Sequence, residues 1–195
     1  MLLSKNSIYH ICNRGNNKQN IFFNRINYIF FLKKIENELV PNCDLMAYCL
    51  MPNHFHLLIF ASPYFKPEIF HNKYKVFLSS YTRAINKQQG RTGSLFQQNS
   101  KMKGLVDFKY DDNNVRMDYP TACFHYIHQN PIRAKLVSRL EDWEFSSFRD
   151  YVGIKNDSIC NRELTKKLLG LPDNAGELYN LSYQIVNPDL LLKYF

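Results

Sequence analysis

Residues 43–61 read CDLMAYCLMPNHFHLLIFA and contain two apolar runs of strand length, residues 43–51 and residues 54–61. Pro52 and Asn53 separate the runs, and such a pair of residues is typical of a tight turn. The stretch therefore predicts a β-hairpin whose second strand begins at His54. The elements that flank this hairpin then decide the fold class.

Helical patterns flank the predicted hairpin on both sides. Before it, apolar residues recur at helical spacing over residues 28–39, with Asn24 as a candidate cap and Pro41 as the stop. After it, one apolar face over residues 74–85 predicts a longer helix that Gly90 ends. The hairpin is thus enclosed by two predicted helices.

Strand-like segments lie outside these helices. Residues 7–23 alternate loosely around a polar turn at residues 13–18, and residues 95–108 contain further strand material before a polar loop at residues 111–114. The order strand, helix, strand, strand, helix, strand predicts an α+β protein with a ferredoxin-like antiparallel sheet and helices packed on one face.

The sequence character changes after residue 151. A third helix is predicted to begin near Thr121 and to be kinked or interrupted near Asn130, because Pro131 lacks a backbone donor. Residues 161–169 predict another helix, followed by a turn-rich and aromatic tail. We therefore divide the chain into residues 1–151, one domain, and residues 152–195, a small C-terminal appendage of unassigned role.

Composition excludes a disordered chain and favours an acidic partner. The sequence is 45% hydrophobic and 15% aromatic, and its formal net charge of +8 favours binding to nucleic acid or to another polyanion. No apolar run is long enough to cross a membrane, and no signal peptide is recognised, so we expect a cytoplasmic protein without a membrane partner.

The cysteines form no recognisable metal or redox motif. They are odd in number and scattered, and no two of them form a C-x-x-C pair. We interpret them as reduced thiols that mostly fill the core. They are Cys12, Cys43, Cys49, Cys123 and Cys160.

Two histidines at the start of the second hairpin strand form a candidate metal site. Side chains two apart on a strand point to the same face, so His54 and His56 project together. Neutral imidazole is a common ligand for divalent transition metals. Because six histidines in this chain would give about 0.2 such pairs by chance, the pair alone leaves a metal-free reading open.

A second candidate element lies in the third predicted helix. Tyr126 and Asn130 are four residues apart and share one helix face, so a nucleophile and a metal ligand could point together. The alternative is that Tyr126 simply packs its ring, as most tyrosines do. His125 and His128 could add a ligand or a proton shuttle, but a solvated helix face is the simpler interpretation.

Four segments together resemble the one-tyrosine HUH transposases, and within them the REP-associated tyrosine transposases. The segments are NRGNN at residues 13–17, MPNHFHLL at 51–58, YIHQNPIRA at 126–134 and WEFSSF at 143–148. They occur in the order of the family, and the resemblance spans about residues 5–151.

The resemblance implies an HUH nuclease fold and cleavage of single-stranded DNA beside a hairpin. It assigns a divalent metal, Mg²⁺ or Mn²⁺, to His54, His56 and Asn130, and it assigns to Tyr126 the attack that produces a 5′-phosphotyrosine and a free 3′-hydroxyl. That hydroxyl could later attack the tyrosine ester and rejoin strands. Related insertion-sequence enzymes often carry glutamine at the position of Asn130 and work as dimers, so monomer and homodimer both stay open.

Basic side chains are candidate DNA contacts, because phosphates pair with Lys and Arg. These candidates are Arg14, Lys18, Arg83, Lys87, Arg91, Lys101, Lys103 and Arg133. Two other functions stay open: a module that binds structured single-stranded nucleic acid without cutting it, and a phosphodiesterase in which water replaces Tyr126 as the nucleophile.

Overall fold

The computed structural model of the protein describes residues 3–105 and 119–184. Its strands are β1 (Ser7–Arg14), β2 (Asp44–Met51), β3 (His54–Ala61) and β4 (Lys101–Leu105). Its α-helices are α1 (Arg25–Glu38), α2 (Pro67–Gln88), α3 (Tyr119–Arg133), α4 (Phe148–Tyr151), α5 (Arg162–Leu169) and α6 (Ala175–Ser182). Short 3-10 turns occur at Asn16–Lys18, Val40–Asn42 and Leu140–Asp142.

The four strands form one antiparallel sheet in the order β2, β3, β1, β4. Together with α1 and α2 they give the predicted ferredoxin-like arrangement, and Pro52 and Asn53 form the turn of the predicted hairpin. Predicted strand residues 106–108 and the predicted loop at 111–114 lie outside the described residues.

Helices α1 and α2 cover one face of the sheet through aromatic packing. Asn24 caps α1 as predicted, since its side chain accepts a hydrogen bond from the backbone N–H of Asn27. The ring of Phe31 in α1 lies 5.1 Å from that of Phe55 in β3 and 4.7 Å from that of Phe77 in α2. These buried rings form the core on this side of the sheet.

Helix α3 covers the opposite face, whereas the sequence predicts helices on one face alone. The ring of Tyr126 in α3 lies 6.0 Å from that of His56 in β3, whose neighbour Phe55 points toward α1 and α2. Strand β3 is therefore buried on both sides, which explains its nearly unbroken apolar sequence.

Helix α3 continues through Pro131 to Arg133, so the predicted interruption does not occur. Proline cannot supply the N–H that would bond to the carbonyl of Ile127 four residues earlier. The side-chain amide of Asn130 stands in for that donor. It donates to the carbonyl of Tyr126 at 2.9 Å and to that of Ile127 at 3.4 Å.

The segment that contains residues 143–148 extends the sheet beside β2. The backbone N–H of Leu50 donates to the carbonyl of Phe145 at 2.9 Å, and the indole of Trp143 donates to the carbonyl of Leu50 at 3.0 Å. This segment therefore lies along the edge of the sheet at β2.

Residues beyond 151 pack against α3 and β2. Leu169, Leu171 and Leu178 are buried in the common core, and the hydroxyl of Thr121 donates to the carbonyl of Leu169. The domain boundary at residue 151 stays a prediction. Within the described ranges, no helix is both long and apolar enough to span a membrane.

Candidate active site

A pocket of about 400 Å³ lies between the α3-covered face of the sheet and α3 itself. Strand β3 places His54 and His56 on its wall, and α3 places Tyr126 and Asn130 opposite them. The four residues to which the sequence assigns chemistry therefore line one pocket, although 70 residues separate the second histidine from the tyrosine.

The two histidines of β3 have the geometry expected of side chains two apart on a strand. Their ring centroids are 5.0 Å apart and the rings are nearly perpendicular. Burial lowers the pKa of His54 to about 4, with help from the positive charge of Arg14, which faces it across β1 and β3. Burial likewise holds the pKa of His56 well below its ordinary value. Both rings are therefore neutral near pH 7 and have a lone pair that can bind a metal.

His10, which the sequence reasoning missed, supports His56 from the neighbouring strand. Its Nε2 lies 2.9 Å from Nδ1 of His56, and the two buried rings meet edge to edge and are nearly coplanar, with centroids 5.1 Å apart. Burial, and then the charge of Lys103, lowers the pKa of His10 to about 3. Its position on β1 is the one sequence feature that could have identified it, and that position indicates proximity to His56 only when the register of β1 and β3 is known.

Tyr126 is half-buried at the pocket wall. Burial raises the pKa of its phenol, and the positive charge of Arg133 acts against this shift. The Arg133 guanidinium lies 5.3 Å from the centre of the Tyr126 ring. The phenol is therefore protonated in the resting protein, beside a cation that would favour its ionised form.

Asn130 presents its side chain to the pocket in a fixed orientation. Its Nδ2 donates to the carbonyls of Tyr126 and Ile127, so the amide nitrogen faces the helix. The amide oxygen is then the atom available as a metal ligand. The Asn-Pro pair thus maintains α3 and at the same time orients Asn130.

Three of the eight predicted basic contacts line the pocket, namely Arg14, Lys101 and Arg133. Lys103 lies deeper under α3, with its ammonium 5.2 Å from the centre of the Tyr119 ring. The remaining four do not line the pocket. They are Lys18, Arg83, Lys87 and Arg91.

His125 and His128 are fully buried, so the interpretation of a solvated helix face is wrong. Nδ1 of His125 contacts the hydroxyl of Ser182 at 3.1 Å, and Nε2 of His128 contacts that of Ser147 at 2.8 Å. Both histidines point into packing contacts made by residues that follow α3, and neither lines the pocket. These two contacts hold α3 against the segments that follow it.

The pocket also contains polar side chains that no local pattern predicted. Cys12 comes from β1, while Gln97 and Asn99 come from the segment that precedes β4. The other four cysteines are buried as predicted, whereas Cys12 is half-buried at the pocket. Only the pairing of Cys12 with His56 in the register of β1 and β3 reveals its position.

This fold and this site define a class of protein. A ferredoxin-like sheet carries a histidine pair on a central strand, and a helix across the sheet supplies a tyrosine. The architecture is that of the HUH nuclease fold.

Comparison with known families assigns the chain within this class. The family model described as IS200-like transposase matches residues 4–105, just over half of the chain, and the chain belongs to that family. The matched residues include His54 and His56 but end before Tyr126. No curated protein sequence matches the chain.

Among solved structures, the chain is similar to a REP-associated tyrosine transposase bound to a REP hairpin. The match has a TM-score of 0.57 and covers 80% of this chain and 85% of that one. The sequence identity is 15%, so this likeness supports the fold.

Proposed function

We propose that the protein is a metal-dependent endonuclease and strand transferase for single-stranded DNA, with Tyr126 as the nucleophile. The observation that carries this proposal is the single pocket shared by Tyr126, His54, His56 and Asn130. A tyrosine that served packing alone would have no reason to face two neutral histidines across a solvent-accessible pocket.

The donor set fits a divalent cation. His54 and His56 are neutral and therefore offer lone pairs, and the orientation of Asn130 presents an oxygen. Two imidazole nitrogens and one amide oxygen can hold Mn²⁺ or Mg²⁺ when substrate oxygens and water complete the oxygen-rich coordination that both ions prefer. When bound, the cation would polarise the scissile phosphate and offset its negative charge.

Contact with His10 would keep His56 in the tautomer that can bind the cation through Nε2. If His56 binds the cation through Nε2, its proton resides on Nδ1 and is donated to Nε2 of His10, 2.9 Å away. Because the two rings meet edge to edge and are nearly coplanar, this hydrogen bond also limits rotation of the His56 ring. We therefore assign His10 a positioning role.

The covalent step forms one bond and breaks one. The phenol oxygen of Tyr126 bonds to phosphorus, and the bond from phosphorus to the 3′-oxygen breaks. Tyr126 loses its proton to solvent, and the departing 3′-oxygen gains one, so protons balance overall. The guanidinium of Arg133, close to the Tyr126 ring, stabilises negative charge as it develops on the phenol oxygen.

The basic side chains at the pocket would hold the strand. Arg14, Lys101 and Arg133 come from three different elements, and all reach the pocket wall. Cations arranged in this way can contact successive phosphates of an extended strand. By analogy with the similar transposase bound to a REP hairpin, we propose a substrate that combines a DNA hairpin with a single-stranded flank. Cytoplasmic localisation stays a prediction.

A cleavage assay tests the proposal. The full chain is incubated with Mn²⁺ and end-labelled single strands that contain hairpins, and denaturing gels then resolve protein-linked DNA. Tyr126→Phe should abolish the linked product, while Tyr64→Phe, at a tyrosine 88% exposed and outside the pocket, should retain it. A linked product from Tyr126→Phe would show that the nucleophile is misassigned. Cleavage without any linked strand would favour attack by water, and metal-independent binding without cleavage would favour a binding module.

A further inference from the structure

We propose that His10, Cys12 and His56 form a second metal site, selective for a thiophilic ion such as Zn²⁺, and that its occupation withdraws His56 from DNA cleavage. Metal binding at this site does not depend on the proposed function. The inhibitory consequence rests on it.

Strand pairing brings these three side chains together on the α3-covered face. Cys12 lies directly opposite His56 in the register of β1 and β3, and His10 lies two residues before Cys12 on the same face. Their candidate ligand atoms all lie within 4.8 Å of one another. In the part of the chain that the structure describes, this is the one group of three or more His, Cys, Asp and Glu side chains that lie close enough together to hold a metal ion.

The ligand atoms of His10, Cys12 and His56 would have to move slightly to bind zinc. Tetrahedral zinc with bonds of about 2.0 to 2.3 Å places its ligand atoms roughly 3.4 Å apart. The His10 and His56 nitrogens, now 2.9 Å apart, would separate by about 0.5 Å, and the thiol of Cys12 would approach by up to about 1.4 Å. Rotation about the side-chain bonds of Cys12 can supply that movement, and binding releases its thiol proton to solvent.

The donor set selects against the ions of the cleavage site. Thiolate and imidazole prefer Zn²⁺ and Co²⁺, whereas Mg²⁺ and Mn²⁺ prefer oxygen ligands. Because Cys12 is half-buried and lines the pocket, an ion can reach the site from solvent.

The two sites compete through the tautomer of His56. A neutral imidazole has one lone-pair nitrogen. The cleavage site would use Nε2 and therefore needs the proton on Nδ1, whereas the second site would use Nδ1, which faces His10, and needs the proton on Nε2. Zinc binding therefore converts His56 to the form that cannot serve the cleavage site.

Cobalt spectroscopy of the full chain tests the second site directly. Titration with Co²⁺ should produce a near-ultraviolet sulfur-to-cobalt charge-transfer band that saturates at one equivalent. Cys12→Ser should remove the band, and His10→Gln should weaken Co²⁺ binding by at least roughly tenfold, since even the loss of an outer-shell partner has an effect of that size. Cys49→Ser is the matched control, because Cys49 lies opposite His56 on the other neighbouring strand, β2, and should retain the band.

Two results would overturn the site: absence of the band in the parent protein, or its persistence in Cys12→Ser. Alkylation of the unmodified protein gives a measurement that needs no variant. Zn²⁺ should slow the reaction of Cys12 with iodoacetamide, as mapped by mass spectrometry, and an unchanged rate would also contradict the proposal.

The competition is tested by the ratio of Mn²⁺-supported cleavage rates without and with Zn²⁺. This ratio measures inhibition by Zn²⁺. It should be at least roughly tenfold smaller in Cys12→Ser than in the parent protein, because the variant lacks one ligand of the second site. An equal ratio would refute competition through Cys12. Tyr126→Phe should still show the cobalt band, so failure of the cleavage assay would not be mistaken for failure of the metal site.

Discussion

Nε2 of His128 lies 2.8 Å from the hydroxyl of Ser147, and this buried contact joins α3 to β2. The same hydroxyl accepts a hydrogen bond from the backbone N–H of Tyr48 at 2.9 Å and donates to its carbonyl at 3.2 Å. One side chain therefore connects the helix that carries Tyr126 to the sheet that carries the histidine pair.

Removal of this hydroxyl should destabilise the protein. Ser147→Ala leaves buried groups of His128 and Tyr48 without their partner, so we expect the free energy of unfolding to fall by about 1–3 kcal/mol. Urea denaturation measures the change. Ser79→Ala, at an exposed residue of α2 whose hydroxyl bonds within its own helix, should change it by no more than about 0.5 kcal/mol. A similarly small change in Ser147→Ala would show that the contact does not anchor α3.

Asn130 should have two separable roles, one in α3 and one in metal binding. Asn130→Ala removes both the donor to the carbonyls of Tyr126 and Ile127 and the oxygen proposed as a ligand. We expect it to lose about 1 kcal/mol of stability and also to weaken Mn²⁺ binding.

A second substitution separates these roles. Pro131→Ala restores a backbone N–H for the carbonyl of Ile127, so Asn130→Ala combined with Pro131→Ala should recover stability but not Mn²⁺ affinity. Thermal unfolding and titration calorimetry measure the two properties. Recovery of both together would show that Asn130 acts on the metal site only through the helix.

The sequence predicts the elements that depend on local patterns. The apolar runs around Pro52 and Asn53 predict the hairpin, and the helical spacing after Asn24 predicts α1 and its cap, all of which the structure confirms. The same local logic predicts a kink or an interruption near Asn130, and the interruption does not occur. A proline does remove a backbone donor, but the preceding Asn130 supplies a side-chain donor that propensity rules do not include.

Features that depend on distant segments could not be predicted in this way. The local pattern favours a solvated face for His128, because its partner Ser147 lies in a segment without regular secondary structure that the pattern of α3 does not include. His10 and Cys12 enter the site only through the register of β1 and β3, which no single segment determines. The motifs therefore predict the residues of the pocket that lie within one segment, such as His54 and His56. They do not predict His10 and Cys12, whose positions depend on strand pairing.

Basic residues at the pocket should affect DNA binding more than those on α2. Arg133→Gln removes a cation from the pocket wall, so it should weaken single-strand binding and reduce the slope of log affinity against log salt by about 0.7. Fluorescence anisotropy over a range of salt concentrations measures both effects. Arg83→Gln removes the same charge from an exposed position on α2 outside the pocket and should leave the slope unchanged. Equal effects of the two variants would indicate that net charge, rather than the pocket, governs binding.

Buried His125 should make stability depend on pH. Burial lowers the pKa of His125 in the folded protein to about 4, whereas in the unfolded chain it should be near 6.5. Between these values the unfolded state binds a proton that the folded state does not, so the free energy of unfolding falls as pH decreases from 6.5 to 4 and this contribution is constant below. A shift of this size corresponds to a loss on the order of 3 kcal/mol.

The contribution of His125 can be isolated by substitution, because the other buried histidines act with the same sign. His125→Gln preserves a polar partner for Ser182 but does not titrate, so its unfolding free energy should fall less steeply than that of the parent protein between pH 6.5 and 4. Denaturant titrations at several pH values measure the two slopes. His71→Gln, at an exposed histidine of α2, should retain the parent slope. Parallel curves for His125→Gln and the parent would show that His125 can take up its proton without loss of the fold, and that the packing of α6 against α3 tolerates a charge there.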